Sequence, residues 1–487
     1  MRPRPGRIHG ENIMDWSTDE EALLRSVDLN VGEVRDIELS DGSTARVKLA
    51  ALEETRDDVR NAVRRAVVTV EVSGAQVELV SGNYRLPVAV GGVQIDCPVT
   101  RGYVGNSRRN AWALESDARL RLWPAGTAWV KPGTFVYPLR QRWFASATHM
   151  GNEPVFVDGP EPALAKDIYY HEGLDFGGCE GMVETVAASD ALVVSAGNER
   201  LPGHEDSPVQ ARYDVVYLLD RRGWYHRHSH LQRIAPAVKV GSTVRMGQVV
   251  GVLGKEGASG GWSHLHFAVS RRQASGEWGT EDAYAFVWQA YVAEQSPELI
   301  AVARPHHFIW SGQSVTLDAS RSWSAEGLEL SYEWTFTDGS RARGPEVQRA
   351  YSRPGVYSEI VKVTDSRGRT AYDFAMVQVA NREDPKHGAA GIHAAYAPTF
   401  NIAPGDEVTF KVRSFGTQHG QESWDFGDGS RTVAVRSDGN ADYYNPKGYA
   451  VTTHSFVKAG DHIVSVRRTN EHGFEALAHL HVHVENV

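Results

Sequence analysis

Apolar and polar residues alternate over much of this chain. VVTVEV at 67–72 and VELV at 77–80 would each put their apolar side chains on one face of a strand. The Gly-containing turns SGA and SGN beside them predict hairpins. The stretch 51–66 departs from this pattern: Val59, Ala62, Val63 and Ala66 recur at helical spacing and predict one short helix. A second helix is predicted over 281–294, where Ala283, Phe286, Val287, Ala290 and Tyr291 share a face. VKVGSTVRMGQVVGVLG at 238–254 reads as short, tightly connected strands. The expected fold is mainly β and multidomain. Residues 1–24 form a polar lead-in. A β-rich N-terminal module follows over 25–128, without any chemical motif, and reads as a structural or docking domain. A third unit spans 129–296 and is closed by the second helix, and repeated segments follow it.

The length of 487 residues suits about three domains, with two to five compatible. Hydrophobic residues at 41% and charged residues at 23% exclude a disordered, collagenous or coiled-coil chain. A net charge of -10 argues against nucleic acid as the main partner, which demands a basic surface. No run of about 18 apolar residues is present, so no membrane-spanning helix is expected. The start, MRPRPGRIHGENIMDW, has early positive charge but no apolar core, and hence no visible signal peptide. A cytoplasmic protein and the mature form of an exported one both fit. Two cysteines, Cys97 and Cys179, are too few for a disulfide scaffold or a thiolate zinc finger. Cys179 reads as a small buried residue, with a Cys97–Cys179 disulfide as the second reading.

The chain from about 302 onward is a repeat. YEWTFTDGS at 332–340 matches ESWDFGDGS at 422–430, and each is followed by an aromatic-x-x-x-Gly turn. Trp334 and Trp424 are 90 residues apart, Gly355 and Gly460 are 105 apart, so the second copy carries a 15-residue insertion. Repeats of this length suit two small sandwiches, over 302–382 and 395–487. Both resemble PKD (polycystic-kidney-disease-type) domains, whose hallmark is W-x-F-G-D-G. Trp424, Phe426, Gly427, Asp428 and Gly429 match it fully; Trp334, Phe336, Asp338 and Gly339 match with Thr337 in the Gly place. The motif is structural, a buried aromatic pair before an Asp-Gly turn. The resemblance implies extracellular modules that contact proteins or polysaccharides.

The histidine motifs that suggest chemistry lie in 129–296. In SHLHFAVS, His264 and His266 fall on one face of a strand while Leu265 and Phe267 enter the core. Two neighbouring imidazoles in an interior point to metal or proton chemistry. Upstream, YYHEGLDFGG places His171 near Asp175, supplying the other ligand types zinc accepts. Between them, YHRHSHL sets His226, His228 and His230 on one face of a predicted strand. H-x-x-x-D, then x-H-L, then the glycine-punctuated 238–254 run, then H-L-H-F resembles the lysostaphin- and LytM-type zinc metallopeptidases, over residues 130–275. The resemblance implies one zinc ion (Zn2+) held by His171, Asp175 and His266, with His230 and His264 as the catalytic pair. It also implies cleavage of peptide bonds in bacterial peptidoglycan, outside the cytoplasm or at the cell surface. This chain departs from the family in three places: His228 stands where the family has Tyr, Ala268 where an acidic residue often follows H-L-H-F, and SAGNERLPGHEDSPVQ is a long polar insertion.

Other patterns have blander readings. HEGLD resembles the start of an H-E-x-x-H helix, but glycines 173, 177 and 178 disfavour a helix and Asp175 replaces the second His, leaving Glu172 as a surface residue. His479, His481 and His483 read as a solvated strand face without a carboxylate motif nearby, and His204, Glu205 and Asp206 as an exposed loop. The rival function is a non-catalytic cell-wall or matrix binding protein with a retired peptidase fold, and a third is a peptidase for Gly-rich proteins. Retirement would show as loss of a ligand or catalytic His, and all five are present. The tandem modules are expected to attach the enzyme to a polymeric substrate. A chain ending near Glu298 is then expected to keep its activity on soluble peptides.

Overall fold

The computed structural model describes residues 16–105, 108–158 and 162–485; most of the lead-in, residues 1–15, lies outside them. Its regular structure is mainly β, as the alternation predicts, and most strand pairs are antiparallel; His307–Trp310 pairs parallel with Thr370–Ala380.

The N-terminal module pairs two four-stranded sheets. Their shared core includes Leu29, Val47, Leu49, Val70, Ile95 and Leu120. The helix expected over 51–66 is absent. Thr44–Arg56 and Val63–Val72 are strands paired antiparallel, Glu54 opposite Ala66. The helical spacing comes from the single turn joining them. Asp57 accepts from the Val59 and Arg60 amides, and the Asn61 amide returns to the Asp57 carbonyl. One closed turn is too costly a nucleus to propagate, and the β-branched residues after it pack better on a pleated sheet.

The next unit centres on a nine-stranded sheet. Its main path runs Glu199–Arg200, Ala191–Ala196, Val216–Asp220, Tyr225–Ser229, His264–Arg272, Leu174–Gly177 and His149–Gly151. A smaller sheet joins Glu184–Val186, Val249–Leu253 and Leu231–Ile234. The closing helix forms at Tyr284–Gln295. It buries Phe286, Val287 and Tyr291 in the same core as Leu265, Phe267 and Val269. Cys97 and Cys179 are buried free thiols in different clusters, so they do not pair.

Both repeats are sandwiches with the expected aromatic pair inside: Trp334 and Phe336 in one, Trp424 and Phe426 in the other. They do not trail from the chain as independent tethers. Ala145 and Ala147 enter the core of the second sandwich, and the Ala147 amide donates to the Ala394 carbonyl. Most of the extra residues of that sandwich lie in the loop 436–449, between strands Val433–Val435 and Ala450–Ser455. This loop, together with Arg413 on strand Glu407–Phe415, reaches across to residues 257–263 of the preceding unit. Tyr444 Oη donates to the Gly257 carbonyl (2.9 Å), Asn440 Nδ2 to Gly260 (3.1 Å) and Arg413 Nη1 to Gly261 (2.5 Å), while Tyr449 Oη accepts from the Ser263 amide (2.7 Å).

Candidate active site

Strand pairing brings the site together. Leu174–Gly177 lies antiparallel to His264–Arg272 with Asp175 directly opposite His266. Tyr225–Ser229 flanks the other side, Ser229 opposite His266. Residues on one face of adjacent strands are about 5 Å apart, so three distant motifs meet. Gly173 makes the approach possible. Its φ is +101°, and a Cβ there would stand 2.7 Å from the Phe267 carbonyl oxygen, which excludes both a side chain and an H-E-x-x-H helix.

His171, Asp175 and His266 converge in the interior. His171 Nε2 lies 2.9 Å from His266 Nδ1, and both lie close to Asp175 Oδ1, at 3.1 and 2.9 Å. Tetrahedral zinc with bonds of about 2.0–2.1 Å sets its ligand atoms roughly 3.3 Å apart. The three atoms are within a few tenths of an ångström of that spacing, so the donor set fits such an ion. Burial alone would raise the Asp175 carboxyl, but His171 and His264 beside it hold it well below the usual carboxylate range. Burial pushes the His266 imidazole down to about 4 against the pull of Asp175. Burial would lower His171 as well, but the Asp175 carboxylate raises it above the ordinary imidazole value. His171 Nδ1 and His266 Nε2 have no protein partner among the described residues.

His230 and His264 stand beside this group with ring centroids 4.6 Å apart. His230 does not continue the strand face of His226 and His228, as the alternation suggests. The strand ends at Ser229, and His230 has φ +68°, a left-handed conformation costly for a residue with a Cβ. Two contacts hold it there: its amide donates to Asp214 Oδ2 (3.0 Å) and its Nδ1 donates to the Glu256 carbonyl (2.7 Å). His264 Nδ1 likewise donates to the Trp262 carbonyl (3.0 Å). Since a carbonyl only accepts, both rings carry the proton on Nδ1 in their neutral forms and leave Nε2 bare. His264 Nε2 is 3.5 Å from Asp175 Oδ2. Burial, only partly offset by Asp175, holds His264 well below the ordinary imidazole value.

His226 and His228 turn instead into the core, both fully buried. Burial, with His226 adding to it, keeps His228 down at about 3, and its Nδ1 bonds Thr185 Oγ1 at 3.0 Å. Glu172 is buried too, paired with Arg109 of the N-terminal module, contrary to the surface position expected for it. Sequence reasoning missed Asp214, which secures His230, and Trp262, whose ring stacks on His264 at 3.7 Å. Trp262 sits two residues before His264, so the period of two could have found it; Asp214 has no such signal.

Residues 169–277 match the model of Peptidase family M23. The chain carries an M23 peptidase domain. PKD domain models match 296–379 and 392–484, completing a peptidase followed by two PKD sandwiches. Among solved structures, the chain aligns with a nucleoside hydrolase-related hypothetical protein from Saccharophagus degradans at 13% identity and TM-score 0.15. That alignment covers 21% of this chain and 35% of that one, so the chain spans about a third of its length. Helicobacter pylori Csd3 aligns at 13% identity over 54% of this chain and 82% of its own, with TM-score 0.21. The D0-D1 domain of Intimin aligns at 16% over 38% and 97%, with TM-score 0.22. Likenesses this weak carry no argument about the M23 domain.

Proposed function

We propose that the chain is a zinc-dependent endopeptidase acting on the peptide cross-links of bacterial peptidoglycan, outside the cytoplasm or at the cell surface. One observation carries the reading. His171 Nε2, Asp175 Oδ1 and His266 Nδ1 sit 2.9–3.1 Å apart beside two imidazoles with bare Nε2 atoms. His171, Asp175 and His266 would hold the zinc, which supplies Lewis acidity and makes hydroxide available near neutral pH. His230 and His264 supply proton transfer: each bare Nε2 can take a proton from an attacking water and return one to the leaving amine. The Glu256 and Trp262 carbonyls fix both tautomers, and the Trp262 ring limits the tilt of His264. Burial keeps His264 neutral.

The PKD sandwiches support attachment to a polymer close to the reacting bond. With the M23 domain they wall a cleft of about 1130 Å³, lined by Met150 and Trp262, by Phe308 and Met376 of the first sandwich, and by Phe415 and His472 of the second. The second sandwich also holds the loop that leads into His264, so a chain ending near Glu298 is no longer expected to match the full chain on soluble peptides.

The test is to incubate the zinc-loaded chain with purified peptidoglycan and follow soluble fragments and new amino termini. Release that stops in His264→Ala supports the proposal. No release, with cleavage of a Gly-rich protein instead, replaces the substrate. No cleavage of either leaves the non-catalytic binding reading.

A further inference from the structure

The last strand, Glu475–Val484, carries His479, His481 and His483 at alternate positions, and so on one face. That face is only partly solvated, where its sequence suggested a solvated one: His479 is buried, His481 half-buried and His483 exposed. His479 stacks on Phe374 with ring centroids 5.5 Å apart, and His481 lies 4.9 Å from Tyr372, both from the first sandwich. A carboxylate also stands beside it. Asp461, on the neighbouring strand Gly460–Thr469, is directly opposite His483. His481 Nε2 and His483 Nδ1 each lie 2.8 Å from the same atom, Asp461 Oδ1. All three donor atoms fall within 4.8 Å of one another.

The group opens on a cleft of about 390 Å³ where the three domains meet, with Arg142 from the M23 domain and Arg369, Thr370 and Tyr372 from the first sandwich on its walls. Arg369 is neutralised by Glu298, Glu326 and Asp365, which leaves Arg142 as the cation facing the group. Thr370 Oγ1 reaches to 3.4 Å from Asp461 Oδ2.

We propose that Asp461, His481 and His483 form a second divalent metal site, separate from the peptidase centre and placed at the junction of the two sandwiches with the M23 domain. Two imidazoles and one carboxylate select a zinc-like transition metal over calcium, which prefers an all-oxygen shell. Three protein donors leave room for water or the Thr370 hydroxyl to complete the shell. The proposal does not depend on the peptidase reading, because it uses no residue of that site.

The test uses the full-length chain with His171→Ala and Asp175→Ala, which removes the other candidate donor set. After loading with Zn²⁺ and gel filtration, this chain should retain one equivalent of zinc, and Co²⁺ in its place should give visible d–d absorption. Adding His481→Gln and His483→Gln, or Asp461→Asn alone, should abolish both signals; the two routes guard against one variant misfolding. A folded parent chain that retains no metal overturns the proposal and reduces the cluster to two imidazoles hydrogen-bonded to a carboxylate. So does metal content unchanged in both variants. Zinc held by a chain with His171 and Asp175 intact but His481→Gln and His483→Gln reports on the peptidase centre alone, so the two readings fail separately.

Discussion

Replacing Tyr449 by Phe tests whether the second sandwich shapes the active site. The Tyr449 hydroxyl accepts from the Ser263 amide at 2.7 Å and bonds His393 Nδ1 at 2.8 Å. His393 Nε2 in turn bonds Ser146 Oγ at 2.7 Å. Ser263, Tyr449 and His393 are all buried, so water cannot replace the lost hydroxyl. Leaving a buried donor unsatisfied costs about 1–3 kcal/mol. With one amide and one imidazole affected and the ring still filling its place, docking should weaken by about 2–4 kcal/mol. Ser263 is bonded directly to His264, and Trp262 packs on the His264 ring, so part of this loss should appear as displacement of His264. Misplacement by about 1 Å can cost roughly 100-fold; a fraction of that shift should lower kcat about 10-fold while KM and zinc content stay near those of the parent. The assay is hydrolysis of a soluble cross-link peptide, paired with urea unfolding. Tyr443→Phe is the control, since its side chain is exposed and only its carbonyl is engaged. If Tyr449→Phe unfolds at a lower urea concentration but keeps kcat within twofold, the sandwich stabilises the domain without positioning His264.

His171→Ala and Asp175→Ala should each lose one equivalent of zinc relative to the parent chain, read by elemental analysis, keeping only the equivalent assigned to Asp461, His481 and His483, whereas His230→Ala and His264→Ala should keep the parent's zinc content and lose roughly 10²–10⁴-fold in turnover. Chelation of the wild-type chain should abolish hydrolysis, and added Zn²⁺ should restore it. Stability should fall as the pH drops below about 6.5. His228 and His393, both held at about 3 by burial, are neutral when folded, so the unfolded chain takes up the proton first; each should cost about 2 kcal/mol by pH 5, read from urea midpoints at pH 7.5 and 5. Trp424→Ala should destabilise the second sandwich by about 3–5 kcal/mol, since Trp424 is fully buried, and this should be read by thermal unfolding.

Much of the architecture was legible because alternation is a local signal. The strand carrying His264 and His266, the helix behind it and the two W-x-F-x-D-G sandwiches each declare themselves within about a dozen residues. The H-x-x-x-D and H-x-H motifs likewise mark His171, Asp175, His264 and His266 as candidates, because a strand sends residues i and i+2 to one face, but the choice of His266 over His264 as a ligand came from the family resemblance alone. Val59, Ala62, Val63 and Ala66 misled for the same local reason: one turn closed by Asp57 has helical spacing, and only pairing with Thr44–Arg56 shows that it goes no further.

Tertiary structure decided what depends on partners distant in the chain. His230 leaves its strand because Asp214 and the Glu256 carbonyl hold a left-handed backbone, which no periodicity encodes. Glu172 is buried because Arg109 of another module reaches it. His479 and His481 of the last strand look solvated until Phe374 and Tyr372 of the first sandwich pack on them, while His483 stays exposed. The 15 extra residues of the second repeat could be counted from the sequence, but their docking on 257–263 could not be placed. Residue type and spacing specify which side chains can share a face; which surface that face meets is settled only when separate units pack.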